Sequence, residues 1–336
     1  MSSWRVSESA DEPHVFGDIM EQLPHGSVTD GTFHSKLRSV NNSHFQGLQF
    51  CFTHGHSCCT LEHVDLDISG LPCQDNSRAN KKRKFEDIKM SMVNDLLGSH
   101  YFFTQLFVSP TDVGHRGVAR NRTYIICHHK TKTEPLLDVH EVYQSVTDVL
   151  KGSVATEPQD YMVSPKLIKA HFNMGVCQSR GISYDAEASS CAYMLNERET
   201  QLVQLLDRDY AKELGGDPSM DGNLIYFLGD RYEFSRTWSA KSHRVPTYRR
   251  NNGLFLHRQT MTFMTGTDKL ASLGWPVTPE TAKQMLTKVL PNMDSKRSSL
   301  IAGNSMHLSN VALVTMVALL CYGPARSQSV VTQLCL

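Results

Sequence analysis

The chain has 336 residues, of which 40% are apolar and 20% charged, and its 34 basic and 34 acidic side chains give a formal net charge of zero. That length holds one large domain plus a smaller one. Zero net charge excludes a bulk positive field for polyanions, so any nucleic-acid contact must come from a local patch.

The first ~45 residues are polar, and only Val15 to Ile19 reads as a short strand end. No secretory leader is expected from the polar, acidic opening. Nine cysteines, an odd number at irregular spacing, predict free thiols in a reducing compartment. Leu48 to Phe52 and Val64 to Ile68 read as strands. Between them lie Cys51, His54, His56, Cys58 and Cys59. Zinc is the competing reading there, but the spacing fits no standard pair-of-pairs finger, so no metal is expected. Lys81-Lys82-Arg83-Lys84 reads as a nuclear import signal, a phosphate contact or a solvated loop. Ile88 to Leu97 has helical apolar spacing.

Tyr101 to Val108 and Thr123 to Cys127 read as strands. Val139, Val142, Tyr143, Val146, Val149 and Leu150 make one helical face, closed by Gly152. After Val154 the texture becomes mixed and polar, as in an inserted lobe. Within it, Leu202 to Leu214 predicts an amphipathic helix stopped by Gly215-Gly216, and Leu224 to Leu228 a strand. Thr278-Pro279 predicts a capped helix start running to Leu290. Ser309 to Cys321 predicts a buried terminal helix; its apolar stretch is too short to span a bilayer, so no membrane partner is expected. Strands and helices in the first half predict an α/β sheet.

Chemistry concentrates at Ile68-Ser69-Gly70-Leu71-Pro72-Cys73-Gln74. A Cys beyond a strand end, with Pro72 fixing the backbone, is held rigidly and exposed, as a nucleophilic thiol requires. The run resembles the Pro-Cys-Gln catalytic loop of DNA (cytosine-5)-methyltransferases. Other segments follow the order of that family. Gly17-Asp18-Ile19 is similar to its Gly-Asp-Ile segment. Gly117 to Cys127, with Arg120 and Arg122, resembles its Arg-x-Arg strand entry. Val245-Pro246-Thr247, then Thr265 through Asp268 to Gly274-Trp275-Pro276, resembles its Thr-x-x-Glu…Gly-Phe-Pro block. Gly303-Asn304-Ser305 resembles its closing Gly-Asn motif.

The resemblance implies a Rossmann-like S-adenosylmethionine-dependent sheet, incomplete here, with a smaller target-recognition domain. It divides the chain into 1–153 (partial catalytic domain), 154–262 (target recognition) and 263–336 (return to the catalytic domain). It implies methyl transfer from S-adenosylmethionine to carbon 5 of cytosine in DNA, with nuclear localisation. Cys73 would be the nucleophile and Arg122 the cation orienting the base. Arg120 would hold the loop or a phosphate. Asp18, Ile19, Asn304 and Ser305 would line the cofactor; for Asn304 and Ser305 the competing reading is a plain cap for the helix beginning near Ser309. Arg236, Lys241, Arg244, Arg249 and Arg250, interleaved with Trp238, Tyr248 and Phe255 and free of acids up to Arg258, would contact DNA.

Three family features have no counterpart, among them the acidic residue that should follow the cofactor loop to hold the ribose. In the Arg-x-Arg block Arg120 stands at the usual Gln and Tyr124 at the second Arg. Nothing resembling the Phe-x-Gly-x-Gly cofactor loop precedes Asp18, and no Glu-Asn pair lies between Arg78 and Arg120. The expectation is a chain missing its first strand and an internal block. The alternatives are an inactive DNA-binding remnant of the family and an RNA cytosine methyltransferase.

Overall fold

The computed structural model describes residues 47–51, 54–59, 97–233, 242–248, 253–290 and 294–325. The expected strands at Val15 to Ile19 and Val64 to Ile68 and nearly all of the expected helix at Ile88 to Leu97 lie outside them. So do Asp18, Ile19, Cys73 and the Lys81 to Lys84 run. Contacts divide the chain into two units, 1–97 and 98–336.

In the first unit, β1 (Leu48–Cys51) and β2 (His56–Cys59) form an antiparallel hairpin, with Leu48 opposite Cys59 and Cys51 opposite His56. Gly55 turns it at φ +69°, a left-handed conformation that glycine adopts without strain.

The second unit is mixed α/β with small antiparallel sheets. Its longest pair is β3 (Tyr101–Val108) with β4 (Arg122–His129), running from Tyr101 opposite His129 to Val108 opposite Arg122. A short β5 (Thr133–Pro135) leads to α1 (Val139–Ser153), capped by the Asp138 carboxylate accepting from the backbone N–H groups of His140 and Glu141. Next come α2 (Lys166–Arg180) and α3 (Glu197–Leu214), the latter ended by Gly215 at φ +71°. A three-stranded sheet follows, ordered β6 (Ile225–Phe227), β7 (Phe255–His257) and β8 (Thr262–Phe263). The chain finishes with α4 (Gly266–Ala271), α5 (Pro279–Gln284), α6 (Ser295–Asn304) and α7 (Leu308–Cys321). Finally β9 (Tyr322–Pro324) pairs antiparallel with β5.

The three-stranded sheet shows why its residues are so apolar. Alternate side chains point to opposite faces, and both faces are covered. Tyr226, Leu256 and Phe263 face one core with Phe172 of α2 and Leu202 and Leu206 of α3. Ile225, Phe227, Phe255 and Met264 face a second core with Val118, Val245, Leu270, Leu273 and Ala302. A third core packs Leu106 and Val108 of β3 and Ile126 of β4 against Val139 of α1 and Leu313, Val314 and Val317 of α7. Burial of each such side chain stabilises the fold by roughly 1.5–3 kcal/mol before chain entropy is subtracted.

The expected strands at 48–51, 101–108, 123–127 and 224–228 and the helices at 139–150, 202–214 and 309–321 are present, with ends shifted by a few residues. The helix begun at Thr278-Pro279 stops at Gln284 instead of Leu290, because Leu286 adopts φ +52°. Among the described residues every sheet pairing is antiparallel, and the one parallel contact is an isolated bridge between Val118 and Val245. No single described helix is long and apolar enough to cross a membrane; α6 and α7 pass that test only as a pair bent by 41°.

Candidate functional site

The site grows from the loop between β3 and β4. Pro110 to Val113 form one 3-10 turn, capped by Ser109, and Gly114 leaves it at φ +82°. A Cβ on Gly114 would lie 2.3 Å from the Val154 carbonyl oxygen, and one on Gly117 would lie 2.5 Å from the Glu157 carbonyl carbon. Glycine is therefore required at both positions for the loop to lie against 154–158.

Next in the loop, Arg120 is buried with 2% of its surface exposed. Its Nε donates to the Ser305 carbonyl at 2.9 Å and its Nη2 to the Gly303 carbonyl at 3.0 Å, with a second, short contact from Nη2 to Ser305. Nη1 reaches the Tyr248 carbonyl at 3.5 Å. Gly303 lies in the last turn of α6 and Ser305 is its C-cap, so the guanidinium meets the negative end of that helix. A planar fork of donors suits converging carbonyls in a way an ammonium does not. Of the two sequence readings of Arg120, loop holding is what this geometry performs.

Other segments join the same place. Val245 N–H donates to the Gly117 carbonyl at 2.7 Å, and Ala119 N–H donates to the Val245 carbonyl at 3.2 Å. The Thr247 hydroxyl donates to the Ala119 carbonyl at 3.1 Å. Thr265 and Asp268 cap α4 reciprocally: Asp268 Oδ2 accepts from Thr265 N–H at 2.8 Å, and Thr265 Oγ1 accepts from Asp268 N–H. Asp268 Oδ1 also accepts from Ser164 N–H at 2.8 Å. Burial pushes the Asp268 carboxyl up, against the bonds from Thr265 and Ser164. Leu308 N–H donates to the Leu273 carbonyl at 2.8 Å, which ties the Gly274-Trp275-Pro276 turn to the start of α7.

Arg122 opens β4. It is partly buried, and its Nη1 donates to the Asn121 carbonyl at 2.8 Å. Tyr124, two residues along and on the same face, has a buried hydroxyl with no hydrogen-bond partner. Burial pushes that phenol up to about 12, with Arg122 and Arg120 opposing. The sequence marks Tyr124 only as standing in place of the second Arg of the Arg-x-Arg block; that its phenol is buried and unpaired is visible only in the fold.

Asn304 is exposed at the end of α6, and Ser305 caps that helix. The cap of α7 is His307, which corrects the plain-cap reading of Asn304 and Ser305 for that helix. His307 is fully buried with neither ring nitrogen hydrogen-bonded, and burial followed by His115 pushes it down to about 3, so it is neutral. The two rings meet edge to face with centroids 4.6 Å apart. His115 Nδ1, Ser305 Oγ and the Asn310 amide are also buried without hydrogen-bond partners. Buried polar atoms in a native fold usually find partners in the protein or in ordered water, and these gather about the Gly303-Asn304-Ser305 turn and the start of α7.

Of the basic set, Arg244 is described, while Arg236, Lys241, Arg249 and Arg250 lie outside the described residues. Arg244 lines an open pocket of ≈ 330 Å³ with Thr111, Arg116, Lys151, Ser242 and His243. Arg116 Nη2 donates to the Lys151 carbonyl at 3.1 Å. Arg116 and Lys151 were not picked out in the sequence; neither belongs to a run of basic residues.

Lys269 follows Asp268 and is 5% exposed, with Nζ 3.2 Å from Ser299 Oγ and 5.2 Å above the Phe255 ring. Burial pushes it down to about 8 from 10.5, against the opposing charge of Asp268. The unfolded chain then holds the extra proton between those values, so stability rises as pH climbs from 8. The buried Cys191 thiol, pushed up to about 12 from 9.0, opposes this slope within the same range, and raised phenols such as Tyr161 do so above pH 10. The Lys269 contribution is therefore read against Lys269→Met: between pH 8 and 10 urea unfolding of the parent should gain about 2 kcal/mol relative to the variant. Parallel pH profiles for the two proteins refute the assignment.

No family model and no curated protein sequence matches this chain.

Proposed function

We propose that the chain is a DNA (cytosine-5)-methyltransferase-type protein whose described residues form the support of a base- and cofactor-binding site on a Rossmann-like framework. One observation carries the reading. Four segments that resemble the family (117–122, 245–247, 265–276 and 303–305) are scattered over almost 190 residues, yet they bond or pack against one another around Arg120.

In this reading the Cys73 thiolate adds to carbon 6 of cytosine, forming an S–C bond and moving the ring π pair toward carbon 5. S-adenosylmethionine, when bound, would supply the methyl group from its sulfonium, whose S–CH3 bond breaks to leave S-adenosylhomocysteine. Carbon 5 takes the methyl group, then loses its proton to a base, and the thiolate leaves as the ring double bond re-forms. Arg122 offsets the charge pushed onto the ring. Arg120 is a positioning residue that fixes the 303–305 turn. Asp18, Ile19, Asn304 and Ser305 hold the cofactor. The target base must leave the duplex, at a cost of a few kcal/mol. Arg244, with Arg116 and Lys151, offers cations for the flanking phosphates. The DNA substrate would place the protein in a nucleus, or in the cytoplasm if the chain is bacterial.

The test is a duplex carrying 5-fluorocytosine, whose carbon 5 has no proton to lose. With S-adenosylmethionine the chain is expected to form a denaturation-resistant adduct mapping to Cys73, absent in Cys73→Ala. The missing Glu-Asn pair favours a second reading, an inactive DNA-binding remnant; it predicts reversible binding of the same duplex and no adduct. An adduct with 5-fluorocytosine RNA alone would move the substrate to RNA.

A further inference from the structure

We propose that Cys51, His54 and Cys58 bind a zinc ion that staples the β1–β2 hairpin, a site independent of the methyl-transfer reading.

The hairpin brings the donors together. Cys51 pairs with His56 and Gln49 with Cys58, so Cys51 and Cys58 are diagonal neighbours on one face of the pleat. Gly55 N–H donates to the Cys51 carbonyl at 2.9 Å and closes the turn that carries His54. The two Sγ atoms and one His nitrogen all lie within 4.8 Å of one another. His54 Nδ1 is 3.3 Å from Cys51 Sγ and 3.4 Å from Cys58 Sγ. Tetrahedral zinc, with Zn–S of about 2.3 Å and Zn–N of about 2.0–2.1 Å, sets the N···S edge at roughly 3.5 Å.

Hydrogen bonding alone accounts poorly for this cluster. An imidazole Nδ1 has one lone pair or one proton, so it serves one thiol, yet two sulfurs converge on it. A shared cation satisfies all three donors at once. Two thiolates and an imidazole match zinc in softness, whereas magnesium and calcium take oxygen ligands. The fourth corner is left to water or another side chain. The spacing escapes a search for paired fingers because His54 stands within the turn, three residues after Cys51 (C-x2-H), and Cys58 follows alone on the return strand.

A purpose is visible in the hairpin itself. Two strands of four residues are marginal in water by themselves, and Cys51 is fully buried. A metal closing the 51–58 loop adds a constraint that fixes the turn carrying His54.

The experiment is a cobalt(II) titration of the reduced, metal-stripped full chain, read by absorption. The expected result is one equivalent bound, with thiolate-to-cobalt charge-transfer absorption, tetrahedral ligand-field bands, and displacement by zinc. Cys58→Ser should weaken binding on the order of 10³-fold and halve the charge-transfer intensity per bound ion. Cys59→Ser, one residue along, should change neither. His54→Cys should add a third thiolate and raise the intensity, a gain that a folding defect cannot produce. No tetrahedral bands at equimolar cobalt, or Cys58→Ser binding as the parent does, overturns the site.

Discussion

Arg120→Ala is expected to destabilise the protein by about 3–5 kcal/mol, the scale for removing one partner from a buried charged network. The guanidinium donates to the carbonyls of Gly303 and Ser305 and approaches that of Tyr248. The alanine variant leaves these acceptors buried without the donor. Each bond to a charged donor contributes about 1.5–3 kcal/mol, and the orphaned carbonyls add a desolvation cost. Arg120→Lys should recover less than half of the loss, since an ammonium cannot reproduce the fork. Arg122→Ala is the contrast. Arg122 bonds only its neighbour's carbonyl at the start of β4, so its removal should cost under about 1 kcal/mol. In the proposed reading it still abolishes adduct formation. Urea midpoints and the 5-fluorocytosine trap together separate the two arginines. Equal midpoints for both alanine variants would refute the positioning role of Arg120.

The legible parts of the fold were those whose signal is local. Val139 to Leu150 repeats its apolar residues at helical spacing, so α1 is read from the sequence, although the helix runs through the expected stop at Gly152 to Ser153. Tyr101 to Val108 has β-branched and aromatic density enough for a strand. By contrast α2 was missed: Pro165 at its cap makes no side-chain bond, and only Phe172 and Cys177 of its 15 residues are buried. Its helicity depends on packing against the β6–β8 sheet, which no local window contains. Lys166 to Arg180 therefore resembles the polar loops around it. α6 was missed for a similar reason, since Ser295 to Ser299 offers no apolar stripe. At the site, the identity of Arg120 was readable but its burial was not. Nothing within ten residues says that its partners are carbonyls at 303 and 305. Likewise the orphaned His115, His307 and Asn310 are ordinary letters until burial removes their water.

Gly266→Ala carries the second large effect, and its sign is what makes it informative. Gly266 is the first residue of α4, where alanine would ordinarily favour the helix by up to about 1 kcal/mol. Here a Cβ would lie 2.1 Å from Ser298 Cβ and 2.6 Å from Ser298 Oγ on α6. Those atoms belong to a buried side chain whose hydroxyl donates to the Asp294 carbonyl, so it has little room to turn away. The helices must separate, and overpacking of this kind costs roughly 1–3 kcal/mol, occasionally more. With the alanine gain subtracted, we expect a net loss of about 2 kcal/mol in urea unfolding. Separation also drags α6, and with it the Gly303 and Ser305 carbonyls, away from Arg120. In the proposed reading, cofactor affinity should then fall together with stability. Ser298→Gly supplies the control, because it removes the colliding Cβ at a cost of about 1 kcal/mol for glycine within a helix. If the contact is the cause, the double variant should be more stable than Gly266→Ala alone, a coupling of about 2 kcal/mol. Additive losses would mean that the two helices do not meet at these residues, and the route from α4 through α6 to Arg120 would fail with them.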